Sequence, residues 1–389
     1  MQIIDEQLKK YATERQAEYI DAVNEHGGIR RAARALGVGH SAIIQAIDRL
    51  KRSASRRGYS PEHDMVHPVP EGFIAKGVST YYDETGKPRG QWVKSSIDHE
   101  HQKAMMRAVF AGMADELPRL APVRHSQNTC SSELLNCYVI SDYHFGMLAW
   151  RDETGADWDL DIAERTLVKW FEQAIAQAPD TEKAVFAQLS DLLHYDGFAA
   201  VTPESKHLLD ADGRFPKLVR TVIRVIRQVI DMLLVKHKHL HIVMCDANHD
   251  PVSQVWLREW LSVIYENEPR ISVDTSPSPY NAFEFGKVAL FFHHGHKRGM
   301  GNVSEVFASQ FREMFGRTKH AFAHVGHRHH LDIKENNLMI VEQHRTLAAP
   351  DAYAARGGWA SGRDAKVITY HKEHGEVGRV TINYSAVAE

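Results

Sequence analysis

Five short apolar runs in the second half of the chain each end in residues that bind metals, and this constrains the fold more than any other feature. Leu135 to Ile140 leads into SDYHFG, and Ala184 to Leu189 into SDLLHYDG. Leu240 to Cys245 leads into DANHD, Val288 to Phe292 into HHGH, and Ala321 to Val325 into GHRHH. Each run has the length of a strand, and helical periodicity fills Leu160 to Ala178 and Phe215 to Lys236 between them. Strands alternating with helices predict an α/β domain. In such sheets, functional groups gather at the carboxyl ends of strands, so the five endings can converge.

The donor types fit together. Imidazole nitrogen and carboxylate oxygen suit manganese, iron, zinc or nickel. Cys130, Cys137 and Cys245 make no CxxC pair, so neither a closed cysteine zinc site nor a disulfide framework is indicated. Two ions about 3.5–4 Å apart need a bridging carboxylate, and Asp191 is the natural bridge. A single DxH or HxH is usually accidental or structural. Five such endings, in order and each after an apolar run, are hard to explain that way.

The five endings resemble the ordered motifs of the calcineurin-like metallophosphoesterases, over roughly residues 134–345. That resemblance implies a β-sandwich of mixed sheets flanked by helices, with two divalent ions, manganese first among the candidates. Asp142, His144 and His329 would hold one ion, Asn248, His294 and His327 the other, and Asp191 would bridge. His249 would be the general acid, oriented by Asp250. The DLLH segment resembles the DLFH of the SbcD nuclease branch, where the histidine touches phosphate, and this gives His194 that role. Ser190 and Ala247 stand where the family usually has glycine. His293, His296, His324 and His330 crowd the last two motifs and are expected to be supporting or loop residues.

The amino-terminal part reads differently. Residues 15–57 are helical in pattern, and 29–48 look like a helix-turn-helix. Ala33 is small where two helices must approach, Gly37 supplies the turn, and Leu36, Val38 and Ile43 supply apolar contacts. Ser41 is expected to cap the second helix. Residues 28–58 carry eight arginines and lysines against one acid, Asp48, as phosphate contacts require. Arg30, Arg31, Arg34, Ser41, Gln45, Arg49 and Arg52 are the candidate DNA-binding residues. A solvated basic hairpin or a dimerisation module is the plainer alternative, and a homodimer is an open expectation.

Domain limits follow: a helix-turn-helix domain over 1–62, a small β segment with a linker helix over 63–132, and the phosphoesterase domain over 133–389. Within the middle segment, Asp83 to Gly86 reads as a turn between β-like runs, 99–118 as the linker helix and 121–133 as a polar loop. The tail from Ala365 to Tyr384 reads as a hairpin. The layout also resembles phage-encoded phosphoesterases. No apolar run approaches the ~20 residues that span a bilayer, and the first residues are too polar for a secretory signal. The expected location is therefore the cytoplasm, the host's if the chain is phage-encoded. The expected function is a DNA phosphodiesterase or nuclease. The rivals are a phosphomonoesterase, a small-molecule phosphodiesterase, and a DNA-binding regulator with an inactive phosphoesterase domain.

Overall fold

The computed structural model describes residues 4–61, 73–82, 88–98 and 130–388. The chain divides into two compact units, Met1–Ala114 and Asp115–Glu389. In the first, three helices form a small core: α1 (Glu14–His26), α2 (Ile29–Leu36) and α3 (His40–Arg56). A Thr13–Gln16 capping box starts α1. Gly37, lacking a Cβ, takes φ 65° and turns the chain between α2 and α3. Ile20, Val23, Ala32, Ala33, Ile43 and Leu50 close the core. The expectation that Ser41 caps α3 does not hold. The cap position is Gly39, with no side-chain bond, and Ser41 lies exposed in the first turn.

The β-like runs of the middle segment form one antiparallel hairpin, β1 (Phe73–Tyr82) with β2 (Pro88–Ile97). The expected turn at Asp83 to Gly86, the linker helix over 99–118 and most of the polar stretch 121–133 lie outside the described residues. The last residues of that stretch, from Ser131, already belong to a strand.

In the second unit, alternation within the apolar runs sets the layers. In β3 (Ser131–Ile140), Leu135, Cys137 and Val139 face one core, while Tyr138 faces the other way. In β4 (Thr181–Gln188), Val185 and Ala187 repeat this, with Phe186 opposite. A short helix α4 (Arg151–Thr154) and the long α5 (Leu160–Gln177) separate these two strands. The outward rings Tyr138 and Phe186 pack on Phe171 of α5. Then come α6 (Phe215–Lys236), β5 (His239–Met244), α7 (Pro251–Ile264) and β6 (Ile271–Val273). The expected helices and strands are found to within a few residues, and α6 matches at both ends.

A second sheet follows, from β7 (Asn281–Phe285), β8 (Val288–His293), β9 (His320–Val325), β10 (Asp332–Glu335) and β11 (Ile340–Gln343). Helices α8 (Val303–Gln310) and α9 (Arg312–Arg317) precede β9. After α10 (Ala352–Gly357), the tail hairpin β12 (Asp364–His371) and β13 (Gly375–Asn383) returns to the first sheet. The sheet orders are β13-β12-β3-β4-β5-β6 and β10-β11-β9-β8-β7. The inner faces share one core, with Leu135, Val139 and Val185 against Leu290, Phe292 and Phe322. The second unit is thus a mixed α/β sandwich flanked by helices, as expected.

A buried polar network also joins the two sheets. Lys366 of β12 donates to Glu342 of β11 at 2.5 Å, and Arg379 of β13 adds a bond at 3.1 Å. His324 of β9 meets His344 at 2.9 Å and the Tyr370 hydroxyl at 2.9 Å. Lys366 and Glu342 are both almost fully buried, so removing one partner strands a charge. Glu342→Leu is therefore expected to cost ~3–5 kcal/mol, measured by urea unfolding. Adding Lys366→Met should recover most of that loss. A single variant as stable as the parent would contradict this account.

Candidate metal centre

Strands β3, β4 and β5 run parallel in one sheet, and β8 and β9 run parallel in the other. Their carboxyl ends open together, and the five endings meet there. Six of the seven non-glycine residues with positive φ among the described residues lie in these endings: Asp142, His144, Ser190, Asp191, His327 and His329. Such backbone costs of order 1–3 kcal/mol per residue, and it clusters where a site over-determines the chain. Ser190, in the place where the resembling family has glycine, takes φ 87° and is fully buried. Ala247 has no such strain.

The side chains form two adjoining groups. Asp142, His144 and His329 point ligand atoms at one another, and so do Asp191, His294 and His327. In the first, His144 Nε2 lies 3.4 Å from His329 Nε2, which is 3.2 Å from Asp142 Oδ1. In the second, His294 Nε2 lies 3.0 Å from Asp191 Oδ2 and 2.7 Å from Asn248 Oδ1. The groups adjoin, since His294 Nε2 of the second lies 4.0 Å from Asp142 Oδ1 of the first. Tetrahedral bonds of about 2.1 Å put neighbouring ligand atoms roughly 3.4 Å apart, close to these spacings. The donor set of imidazoles, carboxylates and one amide oxygen therefore fits divalent ions.

Charge leads to the same conclusion. Burial alone would raise Asp142 and Asp191, but the facing histidines outweigh it and hold both below the ordinary carboxylate range. Burial opposes a proton on His294, yet Asp191 and Asp142 push it up to about 9. His329 is raised by Asp142 in the same way. Burial keeps His144 well below the usual imidazole range and brings His194 down to about 3. Two buried carboxylates thus attract positive charge, whether as protons on His294 and His329 or as a bound cation, while His144 offers a neutral imidazole.

Backbone and loop groups fix the carboxylates. Asp191 Oδ1 accepts from the amides of Asn248 and His249 at 3.0 and 2.9 Å. Asp142 accepts from the His327 amide at 2.9 Å and from the Ser141 hydroxyl. Thr346 Oγ1 donates to the Asp142 carbonyl at 2.7 Å. Ser141 and Thr346 escaped the sequence reading. Ser141 adjoins a motif, but Thr346 is brought in only by the fold.

His249 and His194 lie beside His144, their rings 4.7 and 5.2 Å from it. The structure corrects the task expected of Asp250. His249 Nδ1 bonds the His194 carbonyl at 2.9 Å, while Asp250 Oδ2 accepts from Leu193 N and Gln254 Nε2. Asp250 therefore fastens the DLLH loop to the start of α7, and a carbonyl orients His249. Of the crowding histidines, His293 stacks on Tyr280 at 4.6 Å, and His330 is exposed and bonded to the Arg328 carbonyl. His324 is no neighbour of the centre but a member of the inter-sheet network. His324, Glu342 and His344 also group like ligands, but Lys366 and Arg379 already balance that carboxylate.

In the first unit, Arg30, Arg31, Arg34, Gln45, Arg49 and Arg52 are all exposed. Arg49 reaches back to Gln45 at 3.5 Å along α3.

Residues 15–57 match the bacterial regulatory helix-turn-helix proteins of the lysR family. No curated protein matches the chain. Among solved structures, a novel archaeal phosphodiesterase is similar at 13% identity and TM-score 0.32, over 64% of this chain and 99% of its own. A dimetal phosphatase from Danio rerio is similar at 8% and 0.33, over 64% and 99%. A Streptococcus pneumoniae TIGR4 protein described as a predicted phosphoesterase is similar at 9% and 0.25, over 64% and 98%. TM-scores this low assign neither a family nor a substrate.

Gly326 gives a direct check of how tightly the carboxylate is held. A Cβ there would run into Ser141 Oγ and come within 2.6 Å of Asp142 Oδ2. Gly326→Ala is expected to displace Asp142 and lower bound metal per chain, with the secondary structure kept. Elemental analysis beside circular dichroism checks it. Undiminished metal content would show that Asp142 is not positioned through this cradle.

Proposed function

We propose that this chain is a metal-dependent phosphoesterase that cleaves phosphodiesters in DNA. The observation that carries the reading is the pair of adjoining ligand groups, Asp142/His144/His329 and Asp191/His294/His327, with Asn248 on His294. In this reading Asp142, His144 and His329 hold one ion, Asn248, His294 and His327 hold the other, and Asp191 is shared. Nitrogen and oxygen donors without thiolate suit manganese, iron, zinc or nickel, and the calcineurin-like resemblance puts manganese first among them. When bound, the two ions supply Lewis acidity for attack on phosphorus.

The chain's own residues do the rest. His249, held through Nδ1 by the His194 carbonyl, keeps Nε2 for a proton passing to the leaving oxygen. His194, buried and uncharged beside His144, offers its imidazole to a phosphate oxygen, the role of the matching histidine in the SbcD nuclease branch. Asp250 keeps the DLLH loop in register with the Asn248-His249 turn. The exposed basic face of α2 and α3 supplies a sequence-independent attraction for DNA phosphates, and the lysR-type helix-turn-helix match over 15–57 supports DNA as the target. The phage-type layout and a cytoplasmic location are part of the same proposal. Among the described residues, no helix is long and apolar enough to cross a membrane.

The experiment compares His249→Asn with His294→Asn on single-stranded DNA, duplex DNA and bis(p-nitrophenyl) phosphate. General acid catalysis supplies about 10²–10⁴-fold, so His249→Asn should lose that much on DNA and far less on the nitrophenyl ester. Its metal content should match the parent's, whereas His294→Asn should lose metal. Full DNA cleavage by His249→Asn would refute the proton-donor role. A parent protein that hydrolyses only phosphomonoesters would refute the diesterase reading.

A further inference from the structure

Three aromatic side chains in the described part of the second unit are strongly exposed: Trp150, Tyr353 and Trp359, at 62%, 71% and 61%. They do not scatter. Trp150 caps α4, and α4 packs against α10, which carries Tyr353 and is followed by Trp359. Arg356 of α10 bonds Glu153 of α4 at 2.7 Å and ties the two together. The Tyr353 and Trp359 rings lie 5.2 Å apart. Gly357 leaves room for the Trp359 ring, since a Cβ there would come within 2.9 Å of it.

This ledge adjoins the metal centre. The chain runs from Thr346, bonded to the Asp142 carbonyl, to Asp351, which caps α10. On the other side, the stretch leaving His144 passes through exposed Leu148 to Trp150. Arg328, between His327 and His329, is exposed and makes no side-chain ion pair among the described residues. Clustered exposed rings, together with an exposed guanidinium in the fifth loop, match the chemistry of an unpaired strand: bases stack on rings, and phosphates meet the cation. A duplex keeps its base faces covered, so it cannot use such rings.

The geometry points to a single-strand ledge: Trp150, Tyr353 and Trp359 take the unpaired bases of a DNA strand whose phosphates pass Arg328 into the metal centre. This rests on the proposed DNA phosphodiesterase reading and narrows its substrate to single-stranded ends, flaps or gaps. The bracing of Trp359 over Gly357 reduces the ordering cost of stacking.

The test is fluorescence anisotropy of a short phosphorothioate single strand on the full chain, with a duplex of the same sequence beside it. Stacking is sequence-tolerant and worth about 5- to 150-fold per base, so Tyr353→Ala with Trp359→Ala should weaken single-strand affinity by at least about tenfold. Trp359→Phe should restore most of it in a Tyr353 background, and duplex affinity should stay at the parent's value. Unchanged single-strand affinity overturns the ledge, and so does an equal loss on duplex. Self-association that Trp359→Ala abolishes, with single-strand affinity intact, would make the rings a protein contact and also overturn it. Parent turnover of bis(p-nitrophenyl) phosphate is read separately. Its absence with intact single-strand binding removes the catalytic reading and keeps the ledge, whereas turnover without single-strand binding removes the ledge alone.

Discussion

Two carboxylates, Asp142 and Asp191, are almost completely shielded from water at the ends of neighbouring parallel strands. Burying such charges is costly unless positive charge and hydrogen bonds answer them. Backbone amides from two other loops bond them, and histidines at the strand ends of the second sheet face them. The rest of the second unit can be understood as the scaffold for that balance. Parallel strands bring the five loops to one edge, the shared core fixes the sheets, and the Glu342–Lys366–Arg379 network spans the seam. Positive-φ backbone at six candidate-ligand or adjacent positions clusters at this edge, as it does where the surroundings over-determine the chain.

Much of this was legible in the sequence, for a physical reason. Strand ends in a parallel sheet converge whatever lies between them, so apolar run followed by ligand type was enough to bring Asp142, Asp191, Asn248, His294 and His327 into one place. Helix α6 was readable because its apolar face repeats at helical spacing. Gly37 marked its turn because few residues other than glycine take that backbone freely. The short strands β6, β10 and β11 lack a long apolar run and were not distinguished. Ser41 suggested a cap, but Gly39 occupies that position one turn-start earlier.

Side-chain partnership was less legible than position. Asp250 follows His249 directly, so sequence suggested that it orients the ring. In space the carboxylate turns to Leu193 and Gln254, and a carbonyl 55 residues away holds the imidazole. His324 lay close to the fifth motif in sequence, yet strand alternation points it into the sandwich toward Tyr370. Thr346 and the aromatic ledge have no local signature, because the fold alone brings residues 346–359 alongside the first motif. Proximity along the chain locates a site well and assigns roles within it poorly.

A dinuclear centre bridged by Asp191 would be seen in anomalous diffraction from manganese-loaded crystals. Two peaks about 3.5–4 Å apart are expected, with Asp191 between them, Asp142, His144 and His329 around one, and Asn248, His294 and His327 around the other. A single peak under excess manganese, or two peaks that Asp191 does not join, would contradict it.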